Sequence, residues 1–380
     1  MNYKFPIINT IEDVLPHIEG RTEFVVVEKE GYTVINYVVC KDDTFDIAGN
    51  PLTGSMRREC RGLIFDTTGR IISRPFHKFF NLNEREETQP SVVDITQPHT
   101  VMEKMDGSMI RPFVVDGHIR LGTKMGVTDV AMQAETYLAG LEDSAISYGW
   151  MEKCLRFNVT PLFEFIAPDN QIVLEYEAAD LVLLALRHNI TGEYLPLEDY
   201  PPFNKAPEYG QVDKNLKGFS DGIKLEEGRE GVVIRFDSGH MIKIKNEWYV
   251  RIHKVKDLVR SQRNIINLII NNEVDDVLPI LLEADVKKVK DTQALFFKSI
   301  EDKELEIGLM CKFVVNMYGD NRKAIALEFI TQLDDKSLGY FIFGYLDSKK
   351  VEDMMMSKVK SNVGSNTKWD KFSTWLGMKL

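Results

Sequence analysis

The segment Glu103-Lys104-Met105-Asp106-Gly107-Ser108 puts a lysine at the end of an apolar run and a glycine in the polar turn that follows. A lysine amine facing a pocket, with other cations close by, gives up its proton more readily, and the free amine is a nucleophile. Gly107 would let the backbone approach a phosphate or a sugar closely. Further along, Phe163-Glu164-Phe165 sets a carboxylate between two aromatic residues, and Glu230-Gly231-Val232-Val233 opens an apolar run with another. Lys243-Ile244-Lys245 then places two lysines two residues apart. Alternate residues of a strand share a face, so these lysines point the same way while Glu164 points away from its aromatic neighbours. Two like charges held side by side are destabilising unless an anion lies between them, and phosphate fits. Exposed strand ends and edge-strand lysines would explain each piece taken alone. All four in this order on one chain are not expected by accident.

The elements that must carry these residues read as follows. Up to about residue 250 the texture is mainly β: short β-branched or aromatic runs at Phe24–Glu28, Tyr32–Val39, Gly62–Asp66, Thr100–Lys104, Ile110–Val115, His118–Thr123, Leu162–Ile166, Leu181–Arg187, Gly231–Phe236 and Met241–Lys245. Glu30-Gly31, Asp116-Gly117 and Ser238-Gly239 separate several of them as hairpin turns would, which predicts antiparallel sheets. Thr128–Leu141 and Met151–Phe157 have helical spacing. Beyond residue 255 the apolar spacing is helical at Asn264–Leu282, Thr292–Ile300, Leu305–Tyr318, Arg322–Leu333 and Val351–Val359. The fold class is α+β over 1–254, antiparallel sheets with flanking helices, followed by an all-α domain over 255–380.

The 380 residues carry 47 Lys and Arg against 58 Asp and Glu, a net charge of −11, which argues against non-specific wrapping of nucleic acid. The stretch Met241–Arg263 reverses the sign, with seven basic and two acidic residues, and is a candidate anion site. The end, Lys349–Leu380, has seven lysines against three acids, with Trp369 and Trp375, and reads either as an RNA-contacting surface or as a solvated, frayed terminus. Cys40, Cys60, Cys154 and Cys311 lie far apart with no C-x-x-C, against a zinc site or a disulfide framework. No apolar run reaches the roughly 18 residues that span a bilayer, and no signal peptide opens the chain. A cytoplasmic location is the expectation, the host's cytoplasm if a phage encodes the chain.

The order K-x-D-G, F-E-F, E-G-V-V, K-I-K resembles nucleotidyltransferase motifs I, III, IV and V of ATP-dependent ligases and capping enzymes. Four longer blocks select a branch: Glu59-Cys60-Arg61-Gly62, the run Ser73-Arg74-Pro75-Phe76-His77-Lys78-Phe79-Phe80-Asn81-Leu82-Asn83-Glu84, Phe163-Glu164-Phe165-Ile166-Ala167-Pro168, and Lys243-Ile244-Lys245-Asn246-Glu247-Trp248-Tyr249-Val250. Together they are similar to the bacteriophage RNA ligase 1 family over roughly residues 20–280. The resemblance implies an ATP-dependent RNA ligase in which AMP is carried covalently on Lys104, passes to an RNA 5′-phosphate and is displaced by a 3′-hydroxyl. It implies that Lys243 and Lys245 lower the pKa of Lys104 and stabilise charge at phosphorus, and that Glu230 also serves the catalysis. It implies a nucleotide pocket built from Tyr37, Arg61, Lys78, Phe80, Lys104, Gly107, Lys124, Glu164, Lys243 and Lys245, with Tyr249 in the last block. Glu164 and Glu230 would hold ribose hydroxyls or a hydrated metal, and Asp275 falls where the family places a magnesium ligand. Met105 departs from the acid common at its position, with no consequence for the lysine expected.

The implied partners are ATP, Mg²⁺ and RNA with 5′-phosphate and 3′-hydroxyl ends, nicked tRNA above all, with the helical domain associated with tRNA preference. No G-x-x-x-x-G-K-[ST] is present, so a separate kinase and phosphatase would prepare the ends. A DNA ligase or capping enzyme would continue into an OB-fold of short strands after K-I-K, whereas this sequence turns helical. A catalytically inactive RNA-binding relative would have lost the nucleophile or a motif V lysine, and neither is missing.

Overall fold

The computed structural model describes residues 4–197 and 201–378. Contacts divide the chain into two compact units, Met1–Arg251 and Ile252–Leu380.

The first unit carries thirteen strands among the described residues: β1 (Phe24–Lys29), β2 (Tyr32–Tyr37), β3 (Arg61–Asp66), β4 (Ile71–Ser73), β5 (Phe80–Asn81), β6 (His99–Glu103), β7 (Ser108–Val115), β8 (His118–Gly122), β9 (Val159–Ile166), β10 (Asp180–His188), β11 (Tyr194–Leu195), β12 (Gly231–Phe236) and β13 (Met241–Lys245). They form three sheets, ordered β1-β2-β3-β4, β11-β10-β9-β7-β8 and β5-β13-β12-β6. Pairing is antiparallel throughout except where the short β5 runs parallel to β13. The predicted hairpins form at β1–β2, β7–β8 and β12–β13. The core follows the alternation: Leu63, Phe65 and Ile35 are buried with the first sheet, Phe163, Phe165 and Ile110 with the second, and Val232, Ile234, Ile242 and Ile244 with the third.

Two helices of this unit lie outside the segments that the sequence reading takes as helical. Pro51–Glu59 starts at Asn50, whose side chain accepts from the Thr53 N–H at 3.0 Å, with proline at the first helical position. Leu216–Leu225 starts in the same way at Asn215.

After β13 no strand occurs among the described residues. The second unit packs around the 36-residue helix Glu283–Tyr318, which the sequence reading splits in two. Glu301-Asp302-Lys303-Glu304 interrupts the apolar spacing, yet these are adequate helix formers and the backbone continues through them. Phe296, Ile307, Cys311 and Val314 from that helix meet Phe341, Met355 and Val359 in the core. Trp369 is buried in the same core, and Trp375 stacks on Phe341 and Phe372 and donates to Asp335 at 2.7 Å. Both tryptophans therefore serve the packing of this unit, and the described part of the lysine-rich end, residues 349–378, is folded. No helix is long and apolar enough to cross a membrane among the described residues.

Candidate active site

One cleft of about 490 Å³ in the first unit gathers most of the predicted residues: Arg61, Lys104, Gly107, Lys124, Glu164, Lys243 and Lys245 all line it. They come from all three sheets. Arg61 opens β3, Lys124 lies in the turn after β8, Glu164 is on β9, and Lys243 and Lys245 share one face of β13. Lys104 follows β6 directly, and its N–H donates to the Gly231 carbonyl at 3.0 Å, which carries the β6–β12 pairing one residue further.

Glu230, buried at the foot of β12, ties the lysines together. One of its carboxylate oxygens lies 2.7 Å from Lys104 Nζ and the other 3.0 Å from Lys245 Nζ. The anion between the clustered cations is thus a protein carboxylate for two of the three strand lysines. Lys243 lies outside this pairing, with Nζ 5.5 Å from the Phe79 ring centre. Burial, helped by Lys78, Arg61, Lys104 and Lys245, pushes its pKa down to about 7. Glu164 moves the other way: burial pushes it up to about 7, with Lys104 pulling it down and Glu230 adding to the rise.

Three predicted residues sit behind the cleft rather than on its wall. Along Lys78-Phe79-Phe80 the side chains alternate, so Phe79 and not Phe80 lines the cleft, while Phe80 is buried in the core of the first sheet. Lys78 Nζ stands 5.5, 5.7 and 5.4 Å from the ring centres of Tyr37, Phe45 and Phe80, a cation held by three aromatic faces. Tyr37 and Phe80 thus meet Lys78 rather than the cleft wall. Gly107 is on the wall, yet a Cβ there would lie 2.3 Å from the Phe165 carbonyl oxygen, so β9 already demands glycine at this position. Asp275 belongs to the second unit, where it is exposed on the short helix Val274–Val277. No cluster of three or more His, Cys, Asp or Glu poised for a metal occurs among the described residues.

Asp106 is a residue beside the cleft to which the sequence reading gave no role. It is buried and fully engaged: Oδ1 accepts from Tyr249 Oη at 2.6 Å, Oδ2 accepts from the N–H groups of Val173 and Leu174 at 2.8 and 2.6 Å, and its own N–H donates to Tyr176 Oη at 3.1 Å. Tyr249, whose ring lies 5.4 Å below Lys245 Nζ, is thereby joined to the turn that carries Lys104. An acid between a lysine and a glycine was the available signal. Phe76, Phe79 and Met125 are among the other residues on the wall.

The same residues carry the likeness to known proteins. The family described as RNA ligase matches residues 59–249, half of the chain, and so takes in every cleft residue named above. The "Putative RNA ligase" of Thermovibrio ammonificans is 33% identical over 294 residues, covering 74% of each chain. RNA ligase 1 of bacteriophage TS2126 is 27% identical over 253 residues, covering 64% of this chain and 62% of its own. The RNA ligase of Rhodothermus phage RM378 is 23% identical over 375 residues, covering 77% and 81%. With the family matched across the catalytic cleft and a relative of that identity over most of its length, this chain belongs to the RNA ligase family, whose phage RNA ligase 1 members its motif blocks resemble.

Proposed function

We propose that the chain joins RNA 5′-phosphate and 3′-hydroxyl ends at the expense of ATP, through AMP carried on Lys104. The observation that carries this reading is Lys104 held 2.7 Å from Glu230 in a cleft also lined by Arg61, Lys124, Lys243 and Lys245. Lys104 Nζ attacks the α-phosphorus of ATP; a P–N bond forms and the P–O bond to pyrophosphate breaks. Glu230 is placed to take the proton that the amine must shed. The surrounding cations neutralise charge on the phosphoryl oxygens and the departing pyrophosphate. An RNA 5′-phosphate oxygen then displaces Lys104 from the AMP phosphorus, and a 3′-hydroxyl oxygen displaces AMP from the RNA phosphorus, closing the phosphodiester.

Magnesium fits this cleft as an ion brought in by the nucleotide. Such an ion keeps several waters and needs one or two carboxylates besides the phosphates, and Glu164 on the wall is a suitable donor once ionised. When bound it would screen charge on the phosphates. Asp275, exposed in the second unit, is assigned this role by the family resemblance alone.

The physiological substrate we propose is tRNA broken in its anticodon loop, its ends healed by a separate kinase and phosphatase in the cytoplasm. Only part of the basic stretch is available for docking it: Lys243 and Lys245 face the cleft, whereas Arg251, Lys254 and Arg260 are exposed along the helical segment that follows. Purified protein incubated with α-labelled ATP and magnesium should become labelled, and Lys104→Ala should abolish the label. An unlabelled wild type across pH and metal conditions removes the ligase reading. Replacing Arg251, Lys254 and Arg260 together by glutamate should slow joining of nicked tRNA more than joining of unstructured RNA; equal losses refute the tRNA assignment.

A further inference from the structure

Arg111, at the middle of β7, is wholly buried and lies behind the cleft-lining residues. A buried guanidinium is ordinarily paired with a carboxylate, as Arg74 and Arg187 are with Glu59. Arg111 has no carboxylate partner among the described residues. Its Nε donates to Ser73 Oγ at 3.1 Å, its Nη1 to the Thr123 carbonyl at 2.9 Å and its Nη2 to the Gly62 carbonyl. Burial and the neighbouring Arg61 guanidinium push its pKa down to about 9, so it stays charged at neutral pH.

Its two backbone acceptors single out what it controls. Gly62 is the residue after Arg61, and Thr123 is the residue before Lys124; both cations line the cleft. These segments belong to different sheets and press together backbone to backbone. Gly62 has φ +104°, and a Cβ on it would lie 2.6 Å from the Lys124 carbonyl oxygen and 2.7 Å from Lys124 Cα. One planar fork therefore spans the seam between the β3 start and the turn after β8, with geometry a lysine cannot copy.

We propose that Arg111 is a positioning residue for the nucleotide's phosphates: it sets the spacing of Arg61 and Lys124 across the cleft, and its unneutralised charge adds to the potential there. The inference rests on the ATP-dependent reading above. No carboxylate cancels this charge, and low surrounding polarity extends its reach.

The test is the ATP dependence of self-labelling in Arg111→Lys and Arg61→Ala, singly and combined. Arg111→Lys should raise the KM for ATP about tenfold, the equivalent of one lost charge-assisted hydrogen bond, while the rate at saturation falls less than about threefold. In the Arg61→Ala background the same substitution should raise KM by clearly less than it does in the wild type, because one of the two residues through which it acts is gone. A folded Arg111→Lys protein with wild-type KM, or effects that multiply fully, overturns the proposal while leaving the ligase reading intact; a wild type that takes no label overturns the ligase reading itself. Should Arg111→Lys not fold, Arg111→Gln carries the test: it removes the charge and cannot reach the Thr123 and Gly62 carbonyls together, and an unchanged KM in that variant overturns the proposal equally.

Discussion

The two units bury different chemistry. Among the described residues of the first, Glu23, Arg58, Glu59, Arg74, His77, Asp106, Arg111, Arg187 and Glu230 are buried, most of them in ion pairs or hydrogen bonds. In the second, the buried polar residues are Ser299 and Ser373, and the rest of the core is aliphatic, aromatic or sulfur-bearing. Buried charge is costly to desolvate, and replacing it with apolar packing is often neutral or favourable for stability. The first unit therefore carries it for geometry. Glu59 receives Arg74 at 3.0 Å and Arg187 at 2.9 Å; Arg74 also donates to the carbonyls of Asn189, Ile190 and Pro6, and Arg187 to those of Gly192 and Pro75. These bonds anchor the start of Pro75-Phe76-His77-Lys78-Phe79, the segment that supplies Phe76 and Phe79 to the cleft wall and carries the caged lysine. Apolar packing alone does not fix a backbone segment so closely.

The contrast is broken most directly at Glu59. Burial alone would raise its pKa, but Arg187 and Arg74 hold it below the ordinary carboxylate value, so it is an anion between two buried cations. Glu59→Gln keeps the shape and removes the charge, leaving two guanidinium groups uncompensated. The expected loss is about 3–5 kcal/mol of unfolding free energy, measured by chemical denaturation. A loss below about 1 kcal/mol would mean that the arginines need only hydrogen-bond acceptors, and the contrast between the units would lose its electrostatic basis.

How far the sequence foretold this differs along the same line. The strands, the hairpins and the turn to helices after β13 were readable because alternation and turn chemistry are local. So was the converging set of Lys104, Lys124, Lys243, Lys245, Arg61 and Glu164, although the resemblance and not the spacing brought the distant members together. Hidden from a linear reading were the partners: that Glu230 bridges Lys104 and Lys245, that Tyr249 reaches Asp106 across 143 positions of sequence, and that Arg111 bridges two sheets. Phe80 was misplaced because one step along a strand reverses the facing direction, and nothing in Lys-Phe-Phe says which ring faces the ligand. The helix Pro51–Glu59 was missed because its signal is the Asn-Pro start and not an apolar stripe.

A smaller effect should separate the units by pH. Glu164 has a folded pKa near 7 against an ordinary value of 4.5, so the folded state binds its proton more tightly than the unfolded chain does. Its contribution is most favourable below pH 4.5 and is lost as pH rises toward 7. Lys243 has the opposite sense: its folded pKa is depressed from 10.5 to about 7, and stability is regained as pH rises from 7 toward 10.5. In urea titrations the stability of Glu164→Gln relative to wild type should therefore increase between pH 4.5 and 7 and level off above. A difference independent of pH over that range would show that the carboxylate titrates as it does in water.

The smallest effect belongs to the apolar core of the second unit, and it is the control for the first prediction. Met355 is fully buried among Phe, Ile and Val side chains with no polar partner to lose. Met355→Leu, like Glu59→Gln, swaps one buried side chain for another of nearly equal volume, but only shape is disturbed. Volume-conserving swaps in apolar cores cost less than about 1.5 kcal/mol, since the neighbours repack and no charge is stranded. The two substitutions differ in what each buried atom is asked to do, and the ratio of their costs measures it directly. Comparable losses would place the stabilities of both units under packing alone, and the buried charges around the cleft would then have to be explained without reference to the residues they hold.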